Sequence, residues 1–474
     1  MRASRLLGVA AAVAACGVIA ASCTADPPPR APDRASPAQA VDADAFETRW
    51  PIKHVIFLIK ENRSFDHLFG RFPGANGVTY GMDRGSRRPL TPVPDDHQDI
   101  AHCWNCSLDA QAGGAMDGFS QGPAGDFAYT QFRAEDIPNL WTLAEEFVLS
   151  DNFFASAYGP SFPNHLFSIA ATAGGAHDAP DRPAESEEAL LADGYAKAWG
   201  CDAPEGSTVE VYDAEGDAIR VPPCFDFLTE GDLLRDADIP WAYYAATNRQ
   251  YGYIWSAYSA IERYRNDPER WAEHMRPVED LIDDIDRGLL PPVTWVTPRG
   301  ELSDHVGGNS WCHGYNWTTE VINAVMASPM WRDTAIFLTW DDYGGFYDHV
   351  TPPAIDPDGF GFRVPLLTIS PYAKRGVVDH RLGEFSSVLR FIEDNWGLTQ
   401  LTDRDRSAEN LSYNFDFTQE PRPAIGSLPP RTACPADVFL GPDNLHNPSP
   451  EEPVWLPDQT APDGTPAETP PPGA

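Results

Sequence analysis

Two acidic pairs follow apolar runs in this chain. Glu61-Asn62 comes just after residues 54–59 (HVIFLI), and Asp341-Asp342 just after residues 334–339 (TAIFLT). Three carboxylates and an amide oxygen form an oxygen-rich set suited to a hard divalent cation, and Ca, Mg, Mn and Zn all accept such donors. With 70 acidic residues in the chain, either pair alone reads as surface acid. Their shared position after buried runs favours the cation. The glycines Gly344-Gly345 that follow would let backbone approach a metal or phosphate closely.

Ser161 stands in Tyr158-Gly159-Pro160-Ser161-Phe162-Pro163-Asn164-His165, ahead of an apolar, helix-like run. Serine at a helix start is commonly an N-cap. The same place offers backbone N–H groups and the positive end of the helix dipole to a phosphoryl group, and a nearby cation would favour the alkoxide. Three histidines lie in polar, Asp-containing stretches: Asp99 to His102, Ser303-Asp304-His305, and Asp348-His349. Such a histidine pairs with an acid at the surface, binds phosphate, or protonates a leaving oxygen.

These groups need a scaffold that brings them to one place. Short β-branched runs at 54–59, 292–297, 334–339 and 364–370 read as buried strands, and 138–147, 317–326 and 386–396 carry apolar residues at helical spacing. The alternation predicts an α/β sandwich with a mostly parallel sheet. Ligands of such sheets bind beyond the strand carboxyl ends, where Glu61 and Asp341 would meet.

The 474 residues, 42% hydrophobic, suffice for one large catalytic domain, expected over 49–447, with tails. Arg2 and Arg5 ahead of the apolar run 6–21 read as an export signal over 1–22, too short to favour a membrane span. Ala20-Ala21-Ser22-Cys23 resembles a lipoprotein cleavage box, so the protein is expected outside the cytoplasm, either tethered through a lipidated Cys23 or released. A Pro/Ala-rich linker over 23–48 and a Pro-rich tail over 448–474 flank the domain.

The formal charge of −36, from 34 basic and 70 acidic residues, disfavours nucleic acid as a partner. Most of it reads as a solvated surface. Removing Cys16 and Cys23 leaves six cysteines, an even set that suits three disulfides in an oxidising compartment. Sequence leaves the pairing open, the local pairs Cys103 with Cys106 and Cys201 with Cys224 being simplest, with Cys312 then holding Cys434. Cys103-Trp104-Asn105-Cys106 has no second motif with which to build a zinc site.

Residues 52–70 (IKHVIFLIKENRSFDHLFG), followed in order by Met116-Asp117-Gly118-Phe119, Gly159 to Asn164, Ser303-Asp304-His305, Asp341 to Val350 and Ile369 to Ala373, carry a resemblance. Over about residues 52–417 the chain resembles the bacterial phosphoesterase family of the phospholipase C and acid phosphatase type. The resemblance implies one domain with an alkaline-phosphatase-like three-layer α/β sandwich. It implies a divalent metal on Glu61, Asn62, Asp341 and Asp342, and Ser161 as nucleophile. His305, Asp348 and His349 would join the catalytic set, with His102 and Asn164 binding phosphate. The expected function is metal-dependent, phospholipase C-type hydrolysis of phospholipids through a phosphoseryl intermediate.

Many phospholipase C members read Asp-Glu where this chain reads Asp341-Asp342, and acid-phosphatase-like members tend toward Asp-Asp. A phosphomonoesterase acting on a small phosphate ester is therefore the alternative. A non-catalytic surface lipoprotein that binds phosphate esters is a second one. Sulfatase chemistry is disfavoured, because Ser161 lacks the Cys-x-Pro-x-Arg setting. The aromatic stretches Trp241-Ala242-Tyr243-Tyr244 and Tyr251 to Trp255 could cage a choline head group, but read first as packing.

Overall fold

The computed structural model describes residues 38–94, 98–120, 124–181, 198–212, 216–248, 250–305 and 310–434. The expected export signal, Cys23, part of the 23–48 linker and the 448–474 tail lie outside the described residues. No helix among the described residues is long and apolar enough to cross a membrane.

The main sheet contains β1 (His54–Lys60), β2 (Val148–Ser150), β3 (Trp241–Ala245), β4 (Met275–Pro277), β5 (Val293–Val296), β6 (Thr334–Trp340), β7 (Leu366–Ile369) and β8 (Val377–Asp379). Their spatial order is β4-β3-β5-β1-β6-β7-β2-β8. All neighbours pair in parallel except β7, which runs against both β6 and β2. Every residue of β1 and β6 is buried, as strands covered on both faces require.

Helices cover both faces. The principal ones are α1 (Pro138–Glu146), α2 (Ser161–Ala170), α3 (Trp311–Ala327) and α4 (Phe385–Trp396). Side chains alternate along a strand, so Phe57 and Lys60 point to opposite faces of β1. Phe57 meets Phe385 of α4 edge-on, with ring centroids 6.3 Å apart. Lys60 lies 5.3 Å from the Trp317 ring of α3 and donates to Gly314 O at 3.1 Å. On the α4 side, Trp295 Nε1 donates to Ser168 O of α2 at 3.0 Å. On the α3 side, Asn139 N of α1 donates to Tyr315 Oη at 2.7 Å. The result is the three-layer α/β sandwich with a mostly parallel sheet that the alternation predicts.

α3 begins six residues earlier than the periodicity of 317–326 suggests, capped by Ser310, whose hydroxyl accepts from Cys312 N at 3.3 Å. Gly314 obscures the pattern, and the packing requires it: a Cβ there would stand 2.0 Å from Asp304 Oδ1. Disulfides join Cys103 to Cys106, Cys201 to Cys224 and Cys312 to Cys434.

The stretch Trp241 to Tyr244 is packing rather than a cage, whereas Trp255 of the second stretch lies 5.5 Å from the His305 ring. Tyr243 and Tyr244 belong to β3 and are fully buried, Tyr243 Oη bonding Thr297 Oγ1 at 3.0 Å and Tyr244 Oη donating to Asp284 Oδ2 at 2.8 Å.

Candidate active site

β1 and β6 are adjacent and in register, Lys60 opposite Trp340, so the acidic pairs that follow them emerge side by side. Glu61, Asn62, Asp341 and Asp342 are all buried. Asn62 N donates to Asp341 Oδ1 at 2.8 Å, and Gly344 N donates to Asp342 Oδ1 at 2.6 Å. These bonds hold one oxygen of each aspartate. Ser161, the first residue of α2, is brought to the same place, its Oγ donating to Glu61 Oε2 at 3.2 Å.

The electrostatics follow from burial. Glu61 is pushed well above the usual carboxylate range by burial first, then by the charges of Asp341 and Asp342. Asp342 rises to about 8, again by burial first and then Asp341. Burial pulls His102 down, but Asp342 and Asp99 outweigh it and hold the imidazole at about 9. Asn62 Oδ1, Asp341 Oδ2 and Asp342 Oδ2 are buried with no hydrogen-bond partner. Buried acceptors without partners are costly. A divalent cation would satisfy all three and offset the carboxylate charge, so this donor set fits the metal ion the sequence implies.

His102 lies at the edge of this cluster, with Nε2 3.2 Å from Asn62 Nδ2 and Nδ1 2.6 Å from Ile100 O. Its ring is 5.9 Å from that of His305, which in turn is 5.5 Å from Trp255. Beneath His305, Asp304 sits at φ 78° and pairs with buried Lys60 at 3.3 Å, while Trp340 Nε1 donates to its other oxygen at 3.1 Å. The Lys60–Asp304 brace was not foreseen, since a lone lysine at the end of an apolar run carries no signal.

Asn164 and the pair Asp348-His349, expected at the phosphate and in the catalytic set, are held in hydrogen-bond networks beside the cluster. The Asn164 side chain braces the loop before Ser161, Oδ1 accepting from Ala157 N at 2.9 Å and Nδ2 donating to Pro160 O at 3.2 Å. Asp348 accepts Arg363 Nε at 2.9 Å, Arg363 Nη2 at 3.1 Å, Val350 N at 3.0 Å and Asp66 N at 3.2 Å. His349 turns to Asp66, Nδ1 to Oδ2 at 2.6 Å, and joins the same network.

His165 was missed, although it lies within the motif around Ser161. It is four residues on from Ser161 in α2, and so on the same helix face. Its Nε2 is 2.8 Å from Glu61 Oε1 and 4.0 Å from Asp341 Oδ2, and burial pulls the imidazole down to about 4.

A serine at a helix start, facing buried strand-end carboxylates on an α/β sheet, is an arrangement suited to phosphoester chemistry. Residues 52–399 match the Phosphoesterase family, and the chain belongs to it. Among its relatives are the hemolytic phospholipase C of Pseudomonas aeruginosa, 27% identical over 86% of this chain, and phospholipase C B of Mycobacterium tuberculosis, 25% identical over 82% of this chain and 84% of that protein. Non-specific phospholipase C6 of Arabidopsis thaliana is 27% identical over 78% of this chain and 74% of its own length. The chain spans 62% and 63% of the hemolytic and non-hemolytic P. aeruginosa proteins it matches. Among solved structures, a lipoteichoic acid synthase of Listeria monocytogenes shares 10% identity at a TM-score of 0.37, covering 80% of each chain, a likeness too slight to bear on the site.

Proposed function

We propose that this chain is an exported, metal-dependent phosphoesterase that cleaves phospholipids as a phospholipase C does, with Ser161 as the nucleophile. The observation that carries the reading is the 3.2 Å contact of Ser161 Oγ with Glu61, at the start of α2 and beside the unpartnered oxygens of Asp341 and Asp342. Membership of the Phosphoesterase family and the phospholipase C names of its relatives support the substrate class. The family match over 52–399 supports a single catalytic unit within 49–447.

Glu61, Asn62, Asp341 and Asp342 would hold a divalent cation, which supplies positive charge that favours the serine alkoxide and offsets charge on a phosphoryl oxygen. Ser161 Oγ passes its proton to Glu61 Oε2, to which it donates its hydrogen bond and from which it recovers the proton at the end of the cycle, and attacks phosphorus in line. The backbone N–H groups at the start of α2 and His102 receive the equatorial oxygens. The bond from phosphorus to the glycerol oxygen breaks, His305 protonates the departing diacylglycerol, and a phosphoseryl diester remains on Ser161. Water, deprotonated by His305, then releases the phosphorylated head group and restores the serine.

Export is supported by the three disulfides, which persist in oxidising compartments. Release after cleavage and tethering through a lipidated Cys23 are both compatible with it.

The test is a paired assay of purified mature protein on phosphatidylcholine and p-nitrophenyl phosphate, each with chelator and with metal restored. Metal-dependent release of diacylglycerol is expected. Turnover of the monoester alone would move the protein to the phosphatases, and silence on both with retained ligand binding would make it a phosphate-ester-binding protein.

A further inference from the structure

We infer that His165 is a ligand of the same cation, so that one imidazole nitrogen stands among the oxygens and the site prefers zinc-like metals to calcium and magnesium. This rests on the cation reading of the site given above.

Helix register brings His165 to the cluster. It follows Ser161 by one turn of α2, so a helix that places the hydroxyl on Glu61 also places the imidazole there. The two side chains take the two oxygens of one carboxylate, Ser161 at Oε2 and His165 at Oε1. The histidine is 2% exposed, and its Nε2 faces the carboxylates of two different strand ends.

The spacings are those of shared coordination. Donors about 2.1 Å from a common ion lie about 3.4 Å apart in a tetrahedral shell, and about 3.0 or 4.2 Å apart in an octahedral one. Nε2 of His165 is 2.8 Å from Glu61 Oε1 and 4.0 Å from Asp341 Oδ2. Glu61, His165 and Asp341 are accordingly one of the groups whose donor atoms lie close enough together to hold an ion.

A plain hydrogen bond from Nε2–H to Glu61 accounts for the shorter distance only. It leaves Asp341 Oδ2 buried with no partner, although that oxygen faces the same nitrogen. A cation between the three groups uses the Nε2 lone pair and satisfies both carboxylates. Nδ1 of His165 has no partner in either arrangement and does not distinguish them. The chemical consequence is selectivity, because imidazole suits zinc and its neighbours, whereas calcium and magnesium take oxygen donors.

Pulsed EPR of the Mn(II)-loaded wild-type protein reads this directly, by nitrogen-14 modulation of the electron-spin echo. The companion measurement is calorimetric affinity for zinc and for calcium in the wild type and in His165→Gln. Glutamine keeps an N–H for Glu61 but removes the imidazole, so a hydrogen-bonding role survives the change and a ligand role does not. The expected result is nitrogen modulation that disappears in the variant, with zinc affinity down about 10–100-fold and calcium affinity little changed. Manganese binding without nitrogen modulation in the wild type would overturn the inference, and that readout does not depend on the variant folding. So would modulation that persists in a variant with an unchanged thermal melt, or equal weakening of zinc and calcium. If the wild type binds no divalent cation, the cation reading itself falls as well.

Discussion

A Cβ added to Gly344 would stand 2.5 Å from the Cβ of Asn62, closer than such atoms approach. Both residues hold the left-handed conformation, at φ 60° and φ 62°. The turn that follows β6 is thereby pressed against the turn that follows β1, and this contact brings the acidic pairs within reach of each other. Asparagine tolerates that backbone better than most residues, and glycine adopts it without strain.

Gly344→Ala should therefore move Asn62 rather than unfold the protein. The left-handed backbone costs about 1–2 kcal/mol for alanine, and the clash adds displacement of the Asn62 amide. We expect cation affinity to fall about tenfold or more, a loss typical of disturbed ligand orientation, with a small drop in melting temperature. Titration calorimetry beside a thermal melt separates the two effects, and unchanged affinity would mean that the contact does not position Asn62.

Removing the proposed nucleophile gives the sharpest kinetic test. Ser161→Ala should lower kcat by roughly three orders of magnitude or more while the fold and metal content persist. Circular dichroism and metal analysis accompany the assay. Near-normal turnover would exclude Ser161 from the chemistry.

Arg363 and Asp348 are both fully buried and joined by two hydrogen bonds, at 2.9 and 3.1 Å. Breaking such a pair by removing one partner costs about 3–5 kcal/mol. Asp348→Asn should lower stability by an amount of that order while kcat/KM of the folded protein stays within a few-fold. Denaturant unfolding measures the first and steady-state kinetics the second. A collapse of kcat at unchanged stability would return Asp348 to the catalytic set.

Away from the site, Glu230 and Glu393 are fully buried. The Glu393 carboxyl is pushed up by burial first, then by Glu230 and Asp405. The folded state thus holds protons that the unfolded chain releases above the ordinary value of 4.5. With more protons bound in the folded state, this contribution to stability is present in acid and is lost as pH rises through the raised folded value. Glu393→Gln should flatten that decline and melt higher than the wild type at about pH 9. Identical melting curves at acid and alkaline pH would contradict it.

What the sequence makes legible is bounded by physics at each level. β1 and β6 stand out because strands covered on both faces are continuous apolar runs. β2, β4 and β8 are three residues each, too short for any periodicity to show. β3 hides behind its aromatic residues, which read as packing without announcing a strand.

At the site, Glu61 and Asp341 could be brought together on paper because each follows a run of strand character. Asp348 and His349 could not be placed from sequence alone, because their orientation depends on Arg363 and Asp66, and neither partner carries a motif that announces the pairing. His165 was recoverable from its spacing to Ser161, but sits in an otherwise apolar stretch where a histidine reads as core.

The pairing of β2 has a bearing on how the chain matures. Its ladder partners in the main sheet, β7 and β8, come from residues 366–379. A polypeptide emerging N-terminus first, from a ribosome or through a secretion channel, therefore presents residues 148–150 with no strand to zip onto until most of the sequence has followed. Such non-local pairing slows folding. For a chain exported as proposed, that slowness would keep the half-made sheet threadable in transit and defer its closure to the far side.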